Sequence, residues 1–146
     1  MASAKNIAEY FLTSVDEEAG DSLSNLKLQK LCYYSQGYHL AMFGSPLFPE
    51  AIEAWEHGPV VPSLYREYKQ YKASAIPRPA DFDPEQIDTE VRSLLDEVYS
   101  VYGQYSATKL RNMTHAEAPW RDAYAKFPSC IITHEAMMDF FKTQLA

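Results

Sequence analysis

Ser24-Asn25-Leu26-Lys27-Leu28-Gln29-Lys30-Leu31-Cys32-Tyr33-Tyr34-Ser35-Gln36-Gly37-Tyr38-His39-Leu40-Ala41-Met42-Phe43-Gly44 carries the strongest helical signal in the chain. Ser24 or Asn25 supplies the cap, because a short polar side chain accepts from the free N–H groups of a first turn. Leu28, Leu31, Cys32, Ser35, His39 and Met42 recur at helical spacing and form an inward stripe. Gly44, with Pro46 beyond it, ends the helix. Such a helix belongs at the centre of the fold. Gln29, Lys30 and Gln36 lie away from the Leu28/Leu31 stripe, free to hydrogen-bond a partner or the Gly58-Pro59 loop.

Working outward, Ala4 to Val15 predicts a short helix through Ile7, Tyr10, Phe11 and Ser14, followed by a polar acidic loop around Gly20. From Leu47 to Pro62 the prolines at 46, 49, 59 and 62 break helices and leave room only for short extended pieces. Ser63 to Tyr71 returns to a helical pattern. Asp83-Pro84-Glu85-Gln86 has the layout of a cap, a first-turn proline and a capping-box glutamine, so the next helix starts there or one turn later at Asp88. Its apolar stripe is Val91, Leu94, Leu95, Val98, Val101 and Tyr102. Ser106 opens another short helix with Leu110 and Met113. Thr114 with Glu117 has the pattern of a second capping box ahead of Pro119, Trp120, Ala123, Tyr124 and Phe127. Thr133 caps a last helix that buries Met137, Phe140 and Phe141, with Ile132 and Met137 as a hydrophobic staple. The expected fold is mostly α: a single compact domain over residues 1–146, of six or seven helices, with a small hairpin or irregular loop around residues 47–62.

With 146 residues, 13 basic against 20 acidic side chains and a net charge of −7, the chain suits one domain and repels a phosphate backbone. Nucleic acid is therefore a poor expected ligand, and a basic protein partner a better one. Two cysteines, Cys32 and Cys130, do not make a disulfide framework. No apolar run approaches the ~18 residues of a membrane span, and residues 1–6 lack the layout of a secretory signal. The expected compartment is the cytoplasm.

The motifs of chemistry are missing. His39, His57, His115 and His134 have no metal-ligand spacing, and His134-Glu135 meets Met138 where a zinc motif needs its second histidine. There is no nucleophile elbow, Gly58-Pro59 cannot cradle a phosphate, and Glu53 with Glu56 reads as a solvated pair. No catalytic residue, metal or cofactor is expected, and the protein is expected not to be an enzyme. Eleven tyrosines are the unusual feature. They either complete a small core or face a partner, since tyrosine joins an apolar body to a polar tip. Tyr99 and Tyr102, on the helix that also carries Glu90, Asp96 and Glu97, form the candidate docking face.

Three blocks in order, Leu28-Gln29-Lys30-Leu31-Cys32-Tyr33-Tyr34-Ser35-Gln36-Gly37-Tyr38, then Pro46-Leu47-Phe48, then Ile52-Glu53-Ala54-Trp55-Glu56-His57-Gly58-Pro59-Val60-Val61-Pro62, resemble the signature of the Panacea antitoxin domain. A fourth block, Leu110-Arg111-Asn112-Met113-Thr114-His115 with Pro119-Trp120 and Ala123, is similar to that family's C-terminal half. Cys32 stands where an apolar residue is usual. The family includes SocA-like proteolytic adaptors and GepA-like phage-associated proteins. The resemblance implies an antitoxin that binds a cognate protein toxin, or an adaptor that delivers the toxin to an AAA+ protease. It also implies that Leu28, Gln29, Lys30, Leu31, Tyr33, Gln36, Gly37, Glu53, Ala54, Trp55, Gly58, Pro59, Val60, Thr114, His115, Pro119 and Trp120 serve the fold or the partner. The residues themselves suggest that Trp55 is a core anchor fastening its loop to the long helix and that Thr114 is a cap. His115 and Trp120 fit a structural or a binding role equally. No added DNA-binding segment, which some members of that family carry, is expected within the 146 residues. An enzyme with an unrecognised site is the outlying alternative.

Overall fold

Helix α2 spans Asn25–Phe43, opened by the Ser24 hydroxyl accepting from Lys27 N–H and closed at Gly44. The computed structural model describes residues 1–145. Around α2 stand α1 (Ala4–Ser14), α3 (Pro62–Tyr68), α4 (Thr89–Tyr102), α5 (Ala107–His115) and α7 (His134–Lys142), with α6 (Ala118–Lys126) beyond α5. Strands β1 (Ile52–Trp55), β2 (Gly58–Val60) and β3 (Cys130–Ile132) complete the architecture. The fold is mostly α, with seven α-helices and one small antiparallel sheet among the described residues.

The reading of α2 as a one-sided helix is corrected. Every residue from Leu28 to Gly37 is buried, polar ones included, because neighbours pack on all sides. A helix with no solvent face can show no amphipathic stripe. His39 and Met42, expected to point inward, lie beyond the enclosed part: His39 is half-buried and Met42 is 50% exposed.

The segment around 47–62 forms the expected hairpin, with Trp55 opposite Gly58 and Ala54 opposite Pro59. Gly58 follows the Glu56-His57 turn with φ of +114°, a conformation that a Cβ-bearing residue rarely adopts. Strand β3 was not expected from the sequence. It pairs with the other edge of β1, Ile52 opposite Ile132, so β1 is central in the order β2-β1-β3.

Elsewhere most caps agree with expectation: Ser106 opens α5, Thr133 opens α7, and the stapling pair Ile132 and Met137 is buried. Asp83 caps only a single 3-10 turn, Pro84–Gln86, and α4 begins after Asp88, the later of the two starts. Leu94, Leu95 and Val98 are buried on α4, but Val101, assigned to the same stripe, is 40% exposed. Phe127, placed in the helical segment after Pro119, lies just past the end of α6 and is exposed. Among the described residues no helix is long and apolar enough to cross a membrane.

Candidate functional site

The polar residues of α2 form a frame that holds the irregular chain beside it. The Gln36 amide donates to Phe48 O at 2.9 Å and accepts from Leu47 N–H at 2.6 Å. Gln29 accepts from Val61 N–H at 2.9 Å and donates to Asn25 Oδ1, while Asn25 donates to Tyr65 O. Lys30 Nζ donates to Pro59 O at 3.3 Å. Backbone groups here lack a ladder partner, and buried they would each cost about 1–3 kcal/mol if left bare. Of the three side chains read as free to bond the Gly58-Pro59 loop, only Lys30 does so; Gln29 bonds Val61 just beyond it, and Gln36 bonds the separate Leu47-Phe48 segment. Burial pushes the Lys30 ammonium down to about 7, with the Arg111 charge adding to the effect.

Two glycines let the frame close. A Cβ on Gly58 would lie 2.5 Å from Lys30 Cε and 2.9 Å from Thr114 Oγ1. A Cβ on Gly37 would lie 2.2 Å from the Phe141 ring, which is itself wholly buried. Leu28, Leu31, Tyr33, Ala54, Pro59 and Val60 are buried in the same region, and Pro119 beside it on α6.

Helices α5 and α6 hold the other side of the hairpin. Trp120 Nε1 donates to Trp55 O at 2.7 Å. The Trp120 ring stacks on His115, centroids 3.8 Å apart and nearly parallel, and on Tyr124 at 4.7 Å. Burial, then the charges of Arg111 and Lys30, hold the His115 imidazole below its ordinary range, and its Nε2 has no hydrogen-bond partner. His57, at the hairpin tip, accepts from Arg111 Nε at 3.3 Å.

Three assignments are corrected here. Trp55 is half-buried rather than a core anchor: its indole meets the edge of Tyr65 and donates to Glu53 Oε1, and it is the Trp55 carbonyl that fastens the hairpin to α6. Thr114 is no cap, since its buried hydroxyl donates to Arg111 O one turn back inside α5. Glu117 closes no capping box. It stands at the start of α6, but its carboxylate turns inward and accepts from Tyr34 at 2.9 Å and Tyr33 at 3.2 Å. Burial pushes that carboxyl up to about 7, against the opposing pull of the two hydroxyls. Sequence reading missed this role because cap spacing gives the same signal.

On α4, Glu90, Asp96 and Glu97 are exposed, and Asp96 accepts from the Tyr10 hydroxyl at 2.7 Å. Tyr99 and Tyr102 are both half-buried but turn to different neighbours. Tyr99 sits beside Phe11 of α1. Tyr102 stacks on Tyr34 at 3.9 Å and shares a 2.8 Å hydrogen bond between its hydroxyl and that of Tyr38. Tyr38, Val98 and Tyr102 floor a groove of about 250 Å³ whose rim includes Met42, Glu97, Val101 and Leu145. The candidate docking face thus splits: Tyr102 and Glu97 belong to this groove, and Tyr99 lies outside it. Among the described residues no three His, Cys, Asp or Glu side chains stand close enough to hold a metal ion.

A frame of buried amides around a short hairpin, enclosed by helices, coincides with the part of the chain that a known family covers. The chain belongs to the SocA-like antitoxins with a Panacea domain, whose model matches residues 28–121. It is 32% identical over 118 residues to Antitoxin SocA of Caulobacter vibrioides (strain NA1000 / CB15N), a likeness that covers 73% of this chain. The chain spans 62% of that protein's length. No solved structure matches it.

Proposed function

We propose that the protein is an antitoxin that neutralises a cognate protein toxin by binding it in a stoichiometric complex, without catalysis. The observation that carries this reading is membership of the SocA-like antitoxin family over residues 28–121. Two features support it. The net charge of −7 favours encounter with a basic protein, and the chain exposes Met42, Phe43 and Val101 near one another, apolar surface that a partner would cover. Motif residues such as Gln29, Lys30 and Gln36 act in this reading as scaffold, holding the hairpin rather than touching the toxin.

Co-expression with the product of the neighbouring reading frame tests it. Growth arrest by that product should be relieved by this chain, and titration of the purified pair should reach full protection near equal amounts. Protection by a small sub-stoichiometric fraction would refute stoichiometric binding and favour an enzyme. Protection that disappears in cells lacking an AAA+ protease would make the protein an adaptor for degradation.

A further inference from the structure

The groove beside α4 has a neighbour along the same helix. Phe43 and His39 of α2 face Asp88, Glu90 and Val91 across a second, more open cleft. The two depressions follow one another from Asp88 to Val101, a length of roughly 20 Å at the rise of an α-helix. Their apolar points are Phe43, Met42, Val101 and Leu145, which are between 40% and 50% exposed. These four are a majority of the large hydrophobic side chains that the fold leaves exposed.

On the floor the hydroxyls of Tyr38 and Tyr102 bond to one another at 2.8 Å, so one of the two O–H groups is satisfied within the fold and the rings supply apolar area beneath an incoming side chain. The groove, at about 250 Å³, exceeds the ~150 Å³ that suffices for a benzene ring, so it takes one aromatic or two branched aliphatic side chains. The rim on α4 is acidic: Asp88, Glu90 and Glu97 stand along it. Its one cation, Arg92, is turned back to donate to Ile87 O and Thr89 Oγ1.

We infer that this trough is the toxin-docking surface and that its occupant is an amphipathic helix of the toxin, about three to four turns long, with lysine or arginine on its flanks. The inference rests on the antitoxin reading and adds to it a location and a partner chemistry. A helix fits because its apolar residues at every third or fourth position would drop into the two depressions in turn, while basic flanks meet Asp88, Glu90 and Glu97.

The probe is the purified product of an adjacent reading frame chosen because it arrests growth when expressed alone, with binding followed by biolayer interferometry. Met42→Asp and Val101→Asp place a charge at exposed positions, so their melting temperatures should match the wild-type chain while dissociation speeds up and affinity falls about a hundredfold. Glu97→Lys should mainly lower the association rate and flatten its salt dependence. Ile131→Asp, at the exposed position of β3 and away from the trough, is the control and should bind normally. If the wild-type chain binds and folded Met42→Asp and Val101→Asp bind equally well, the trough is the wrong surface and the antitoxin reading stands. If those variants abolish a homodimer but leave toxin binding intact, the occupant is a second copy and the inference is overturned. A wild-type chain that never binds the toxin overturns both.

Discussion

The stability of this protein should pass through a trough near neutral pH, created by the buried Lys30 of α2 and the half-buried Glu117 whose carboxylate turns in on Tyr33 and Tyr34 of the same helix. Glu117 takes up its proton near pH 4.5 when unfolded and at about 7 when folded. Between those values the folded chain holds a proton that the unfolded chain has lost, so stability falls as pH rises. Lys30 works in the opposite direction: its ammonium titrates at about 7 when folded and near 10.5 when unfolded. Between those values the unfolded chain holds the extra proton, and stability climbs with pH. Each limb has a slope of at most about 1.4 kcal/mol per pH unit, which sums to at most about 3 kcal/mol for Glu117 and about 5 for Lys30. Against a total of roughly 5–15 kcal/mol this is easily measured. Urea unfolding of the wild type, Glu117→Gln and Lys30→Met at about pH 5, 7 and 10 separates the limbs. Substitution changes packing by an amount that does not vary with pH, so the change in the difference between curves is the readout. Glu117→Gln should remove most of the fall from pH 5 to 7, and Lys30→Met most of the rise from pH 7 to 10. Parallel curves would mean that neither group is buried as described, and the account of the frame would be wrong.

Gly37→Ala should destabilise by about 1–3 kcal/mol, because its Cβ meets the buried Phe141 ring at 2.2 Å and that ring has no free space to enter; urea midpoints decide it. Trp55→Ala should cost about 2–3 kcal/mol, below the ~3–5 of a fully buried tryptophan, since its ring keeps part of its surface in solvent. Trp120→Phe leaves Trp55 O without its donor and should cost about 1–3 kcal/mol, with thermal melts giving the comparison.

The helices and most of their caps were legible because they are local: Ser24, Ser106 and Thr133 each accept from a backbone N–H three residues on. Glycine at 44 and proline at 62 set boundaries in the same way. What was not legible is long-range. Three residues of β3 carry no periodic signal, and they become a strand only because Ile52 to Ala54 offer a ladder edge. The all-round burial of α2 cannot be read from α2 either, since its polar residues look solvent-facing until the loop carbonyls and amides they bond are brought alongside. Thr114 and Glu117 illustrate the same limit. Their spacing fits a capping box, yet a buried environment gives the hydroxyl a carbonyl inside α5 and the carboxylate two tyrosines from α2.

This division bears on where specificity resides. The blocks that carry the family likeness contain Gln29, Lys30, Gln36, Gly37, Gly58 and Thr114, and all six are buried. A partner cannot reach a side chain whose hydrogen bonds are already made inside the fold. If the proposed antitoxin reading holds, changing one of these residues should act on partner binding only through stability, shifting melting temperature and complex formation together. The trough residues Met42, Glu97 and Val101 are exposed and lie outside those blocks. Changing one of them should act on binding with the melting temperature untouched. A frame that fixes the fold from within leaves the α2–α4 surface free to vary in shape and charge. On the proposed docking reading, that surface can change shape and charge at little cost in stability, because exposed substitutions usually stay within about 0.5 kcal/mol.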